Sequence, residues 1–210
     1  GLARFARNTA ALCFSTGYMA NLSRLTGLAG RHGEVFADPL NHASLVDAAQ
    51  LSGARFTRYR HNDLARLESQ LENSTAQDKV IVSDLVFSMD GDMAAVDALL
   101  DLAERYDAWL YLDDAHGFGV LNDGCGGMTG RARASDRVIY LATLGKAAAV
   151  SGAVVAAHAN VIDWLIQKAR PYIYTTATPP LLAACLLESL RQIEAGAARR
   201  LRLRCHLAQL

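Results

Sequence analysis

The sequence predicts an α/β domain built on a mostly parallel β-sheet. Short, nearly continuous apolar runs alternate with longer stretches of helical periodicity. Such runs suit strands covered on both faces, as in a parallel sheet between helical layers. The polar residues with chemical potential fall just after these runs. Ligands of open α/β sheets bind beyond the carboxyl ends of the strands, so those positions are the first candidates for function.

Taken in order, residues 11–14 form a first strand, and a Ser15-Thr16-Gly17 turn leads into a helix over 18–29. A strand over 34–37 and a helix over 44–51 flank the polar loop that carries His42. The strand 54–59 precedes a helix over 64–72, for which Asn62 or Asp63 supplies the cap. The apolar run 80–83 is a strand, followed by an amphipathic helix over 96–106. Residues 109–112 and 138–142 are further strands. Between them lies the most glycine-rich stretch, 122–133, expected to be an exposed loop. A last strand covers 153–157, and helices cover 161–169 and 180–203. Pro179 and Pro180 open the latter, where a missing N–H does little harm.

Bulk properties narrow the function. Of 210 residues, 51% are hydrophobic and 20% charged, as in a globular domain. Lys plus Arg and Asp plus Glu are 21 each, which argues against general affinity for nucleic acid or anionic membrane. The basic run over 198–204 reads as a solvated helix face. Cys13, Cys125, Cys185 and Cys205 are far apart, so a zinc site or disulfide framework is not expected and a reducing cytoplasm is. No apolar run reaches spanning length, and the first residues carry no signal-peptide pattern. The chain starts with Gly and stops within an amphipathic pattern, so it is expected to be part of a larger protein.

Lys146 follows the strand over 138–142 through Thr143-Leu144-Gly145, with small residues after it. A lysine at the mouth of an apolar strand loses hydration and suits Schiff-base chemistry with an aldehyde, and the small neighbours leave room for a flat ligand. The competing reading is a surface lysine. Asp113 ends the run Trp109-Leu110-Tyr111-Leu112, and His116 follows it. A carboxylate there can hold a pyridine nitrogen protonated, and the imidazole can reach a phenolic oxygen. Ordinary turn contacts, or a metal site of Asp113, Asp114 and His116, are the alternatives; the metal lacks further clustered ligands. Gly17 and Tyr18 start a helix whose free amides suit a phosphate. His42 can stack on an aromatic ring, or be a hydrogen-bonded loop histidine. Ser88 lies in the polar turn Phe87-Ser88-Met89-Asp90-Gly91-Asp92.

The segments FSTGYMAN, LNHASLVDAA, VFSMDGD, YLDDAHGFGV, TLGKAAAVSGA and ARPYIYTTATPP, in this order, resemble the α-oxoamine synthase family of fold-type-I enzymes that use pyridoxal 5′-phosphate (PLP). The resemblance implies the three-layer, aspartate aminotransferase-like large domain over residues 1–210, without the family's N-terminal segment and C-terminal small domain. It implies Lys146 as the Schiff-base lysine and proton carrier, and Asp113 on the pyridine nitrogen. His116 and Ser88 would lie near the phenolic oxygen, His42 on the ring face, and Gly17, Tyr18 and Thr143 around the phosphate. Tyr174, Thr175 and Thr176 would reach this site or that of a partner subunit, since members are homodimers. LNHASLVDAAQLSGA, RYRHNDLARLESQL and QKARPYIYTTA point within the family to the biotin-pathway reaction. There L-alanine condenses with pimeloyl-CoA or a pimeloyl carrier protein, with loss of CO2, to give 8-amino-7-oxononanoate. Two alternatives stand beside it: the glycine plus acetyl-CoA reaction, and a non-catalytic fragment or dimerisation module.

Overall fold

The computed structural model describes residues 9–209; the N-terminal residues in which a signal pattern was sought lie largely outside the described residues. In chain order the elements are β1 (Ala10–Phe14), α1 (Gly17–Leu28), β2 (Glu34–Ala37), α2 (Ala43–Leu51), β3 (Arg55–Arg58), α3 (Leu64–Glu72) and β4 (Lys79–Asp84). They continue with α4 (Val96–Arg105), β5 (Ala108–Asp113), α5 (Gly130–Ala134), β6 (Val138–Thr143), β7 (Ala153–Ala157), α6 (Ala159–Lys168), α7 (Arg170–Ile173), α8 (Pro180–Glu194) and α9 (Ala197–Leu207).

The strands form one 7-stranded sheet in the order β1-β7-β6-β5-β4-β2-β3. β3, β2, β4, β5 and β6 run parallel, while β7 is antiparallel to both β6 and β1. β1 therefore points the same way as β6, and both end on the edge of the sheet where β4 and β5 end.

Successive side chains of a strand face opposite sides, and here both sides are buried. Ile81, Leu110, Leu112, Tyr140 and Val154 pack with Leu67, Leu99 and Leu186 from α3, α4 and α8. Val80, Val82, Tyr111, Ile139 and Val155 pack with Leu25, Leu45 and Leu165 from α1, α2 and α6. Helix, sheet and helix make three layers, as the alternating pattern predicts.

Two expectations need correction. The single helix expected over 180–203 is broken at Ala195-Gly196 into α8 and α9. Glycine is a poor helix former, and the Ile193 carbonyl accepts the Gly196 N–H at 3.0 Å and the Arg200 guanidinium at 2.6 Å. The stretch 122–133 is not simply an exposed loop: Gly124, Gly126, Gly127 and Met128 are buried, and Thr129 caps the short α5. Gly126 and Gly127 pack against the Asp114 side chain, to which Gly127 donates its N–H at 2.8 Å, and Gly124 packs against Ile193 and Arg200. The short α5 and α7, with 5 and 4 residues, are too brief to show a helical period. Of the two cap candidates before α3, Asp63 does the capping, accepting the Arg66 N–H at 2.9 Å. Among the described residues no helix is long and apolar enough to cross a membrane.

Candidate active site

The carboxyl ends of the central strands place the site. Asp84 ends β4 and Asp113 ends β5, side by side in register. Thr143 ends β6, and the chain turns back there so that Lys146 lies beyond the same edge. Phe14 ends β1, and Ser15-Thr16 leads into α1; the Thr16 hydroxyl accepts the Met19 N–H at 3.1 Å and caps the helix. A cavity of about 390 Å³ lies among these ends, lined by Gly17, Asn21, His42, Asp113, Thr143 and Lys146, together with the residues flanking them.

Asp113 forms its buried wall, 5% exposed. Asn21 on α1 donates to its Oδ2 at 3.0 Å, and Ala115 N–H donates to Oδ1 at 3.0 Å. Asn21 is itself fixed: it donates to Ser44 Oγ at 2.8 Å and accepts the Tyr111 hydroxyl. Burial pushes the Asp113 carboxyl up from its ordinary value, opposed by the Asn21 and Ala115 hydrogen bonds and by Lys146 and His42. Asp84, 4% exposed, is pushed up to about 8 by burial and by the charge of Asp113, while the His42 N–H and Lys146 pull it back. Two buried carboxyls side by side thus resist being ionised together, and a cation facing Asp113 relieves both.

Lys146 Nζ lies 2.9 Å from His116 Nε2. Burial and then the charge of Lys146 hold His116 below its ordinary value, so the neutral ring accepts from the ammonium. Lys146 is exposed, which corrects the expectation that burial at the strand mouth strips its hydration. His42 caps α2, its Nδ1 2.7 Å from Ser44 Oγ, and its exposed ring lines the cavity. Gly17 belongs where it is because a Cβ there would lie 2.7 Å from Thr143 Cγ2.

Other candidates lie apart. Ser88 is exposed on its turn and is not in the cavity wall. Thr175 and Thr176 line a neighbouring cavity of about 500 Å³ with Tyr172 and Ile173; it meets the first at Ser15. Tyr174 is 72% exposed, with the Arg170 guanidinium over its ring. Asp114 does not converge with Asp113 and His116 as a metal site would require; it turns away to accept the Tyr140 hydroxyl at 2.7 Å. Sequence reading passed over Asn21 and Asp84. Asp84 was legible in principle as a carboxylate ending an apolar run, like Asp113. Asn21 inside a helix carried no local signal.

These carboxyls make a pH prediction. Burial also pushes Asp114 up to about 7. A group whose folded pKa is raised contributes stability that is full below its unfolded value, about 4 for a carboxyl, and lost as pH rises through the folded value. The urea midpoint of wild type is expected to fall between pH 5 and pH 9, and the fall is expected to shrink in Asp84→Asn. A variant as pH-sensitive as wild type would contradict the assignment.

The model of the family "Aminotransferase class I and II" matches residues 1–210. The chain is 76% identical over 208 residues to an 8-amino-7-oxononanoate synthase of Thiobacillus denitrificans, a match covering 99% of this chain and 54% of that protein. It is 60% identical over 203 residues to the enzyme of that name from Chromobacterium violaceum, covering 97% and 53%. Among solved structures, a serine palmitoyltransferase from S. paucimobilis with bound PLP–myriocin aldimine superposes with a TM-score of 0.90 at 30% identity, over 97% of this chain and 52% of that one. An 8-amino-7-oxononanoate synthase from Francisella tularensis gives a TM-score of 0.84 at 36% identity, over 96% and 58%. The chain spans about half the length of the curated relatives it matches.

Proposed function

Since this chain belongs to the class I and II aminotransferase family, we propose that it is the PLP-binding large domain of a cytoplasmic, homodimeric acyltransferase that condenses L-alanine with a pimeloyl thioester to 8-amino-7-oxononanoate, in biotin synthesis. The names of its relatives support the substrate class. The observation that carries the reading is a lysine and a buried carboxyl lining one cavity at the strand ends.

The residues fit the cofactor. Among the described residues Thr143 Oγ1 is buried with no hydrogen-bond partner, next to the amides that open the 12-residue α1, as a phosphate site would have it. A buried carboxyl at a strand end, beside a second one in register, suits a ring nitrogen that carries a proton. When bound, PLP supplies an electron sink for the carbanion formed at the substrate's α-carbon.

The remaining work falls to the protein. Asp113, as an anion, would hold a proton on the cofactor's ring nitrogen, and Asn21 keeps its Oδ2 in place. The Lys146 amine would anchor the cofactor and, when free, would move the α-proton. His116, neutral and 2.9 Å from Nζ, is placed to take a proton from that amine and to hold a phenolic oxygen. His42 offers its ring face to one side of the cavity. Gly17, Tyr18 and Thr143 would surround the phosphate. Ser88, Tyr174, Thr175 and Thr176 serve the site only with a movement of their segments or from a partner subunit.

The test is exchange of the alanine α-proton in deuterated water by the PLP-loaded chain. It needs no thioester and isolates the first proton transfer. Exchange with L-alanine well above glycine is expected. Preference for glycine would favour the acetyl-CoA reaction, and no exchange despite bound PLP would favour a non-catalytic fragment.

A further inference from the structure

We infer that His61 is a positioning residue: its imidazolium staples the loop that carries His42 to the turn that carries Ser88. The inference rests on the reading above for the roles of those two residues, but the staple itself stands on geometry alone. His61 Nδ1 lies 2.9 and 3.1 Å from the two oxygens of Asp38, and Nε2 lies 2.8 Å from Asp92 Oδ2. A neutral imidazole has one N–H, and an ionised carboxylate only accepts. A ring with a carboxylate on each nitrogen must therefore carry two protons. Asp38, 1% exposed, also accepts the Leu40 and Asn62 amides, each at 2.9 Å, as an anion does. Asp92 Oδ2 accepts from the Asn62 side chain at 2.8 Å as well. Asn62 reaches both carboxylates from a left-handed backbone, φ 54°, a conformation that asparagine tolerates better than most residues.

Each end of the staple leads to the active site. From Asp38 the loop runs to Asn41, whose side chain donates to the Val82 carbonyl and accepts the Asp84 N–H, both at 2.9 Å. Next comes His42, whose N–H donates to Asp84 Oδ2 at 3.2 Å. At the other end, the Asp92 carbonyl accepts the Phe87 N–H at 3.0 Å, closing the turn around Ser88. The His61 ring also meets Phe87 edge-on, with centroids 4.6 Å apart. The charged groups facing His61 are Asp38 from the loop after β2 and Asp92 and Asp90 from the turn after β4. The Tyr59 phenol beside Asp38 is pushed well up by burial and stays neutral. Burial pushes His61 down, but its hydrogen bonds to Asp38 and Asp92 and their charges outweigh this and raise it above its ordinary value. The staple therefore holds fully below about pH 6.5 and is lost as pH rises through the raised folded value.

Ring ¹⁵N–¹H correlation spectra of the 210-residue chain without PLP test this independently of cofactor binding. His61 is expected to show two protonated nitrogens at pH 7, and a ring with one would overturn the inference. Asp92→Asn keeps an acceptor and removes the charge, so the His61 titration is expected to move to lower pH; an unmoved titration would count against the staple. In His61→Gln, the amide signals of His42 and Ser88 are expected to shift or broaden while that of Thr143 stays. The loss of thermal midpoint relative to wild type is expected to be larger at pH 6 than at pH 9. Unchanged His42 and Ser88 signals, or a loss equal at both pH values, would sink the positioning role.

Discussion

Asp113→Asn is expected to slow α-proton exchange from L-alanine by on the order of 10²-fold or more, while PLP remains attached to Lys146. Preorganised groups aimed at developing charge are worth about that much when one is removed. The substitution is nearly isosteric, but Asn21 and Ala115 donate to different oxygens of Asp113, so the amide keeps an acceptor for only one of them. It removes the anion that keeps the opposite ring nitrogen protonated. An amide can present a carbonyl there, but it offers no full negative charge. Retention of the cofactor with loss of exchange would place the effect in the chemistry rather than in binding. A variant that exchanges like wild type would remove Asp113 from the role proposed for it.

The largest effect on stability is expected from Gly126→Ala. Gly126 has φ 90°, where an alanine is strained. A Cβ there would overlap Asp114 Oδ2 and lie 2.6 Å from the Tyr140 hydroxyl, so it would break the bond between them. Strain plus a buried carboxyl deprived of its donor should together cost about 3 kcal/mol or more. Gly130→Ala is the control. It opens α5, and nothing lies within 4 Å of its would-be Cβ, so a change within about 1 kcal/mol is expected. Urea unfolding of the two variants measures the difference, and equal midpoints would show that the glycine-lined pocket around Asp114 does not constrain the loop.

The fold was legible because strand chemistry repeats. Runs such as Val80-Ile81-Val82 and Leu110-Tyr111-Leu112 are apolar at consecutive positions, which only a strand buried on both faces needs. Position at or beyond a strand end likewise identified Lys146 and Asp113, and the structure brings them to one cavity with Thr143, His42 and Gly17. What escaped reading depends on long-range contact. Asn21 sits within a helix and meets Asp113, which is 92 residues away in the chain. The burial of Gly126 and Gly127 comes from a carboxylate 13 residues before Gly127 that turns inward, and glycine content alone suggests exposure. Likewise, the break between α8 and α9 depends on an arginine side chain folding back onto a carbonyl, which no periodicity encodes.

The most direct test of the central claim is to add PLP to the purified chain, reduce with borohydride, digest, and locate the cofactor by mass spectrometry. The account predicts that pyridoxyl phosphate is fixed to Lys146 and to no other lysine, and that Lys146→Ala traps none. Label on Lys79 or Lys168, or none on a folded wild-type chain, would contradict it.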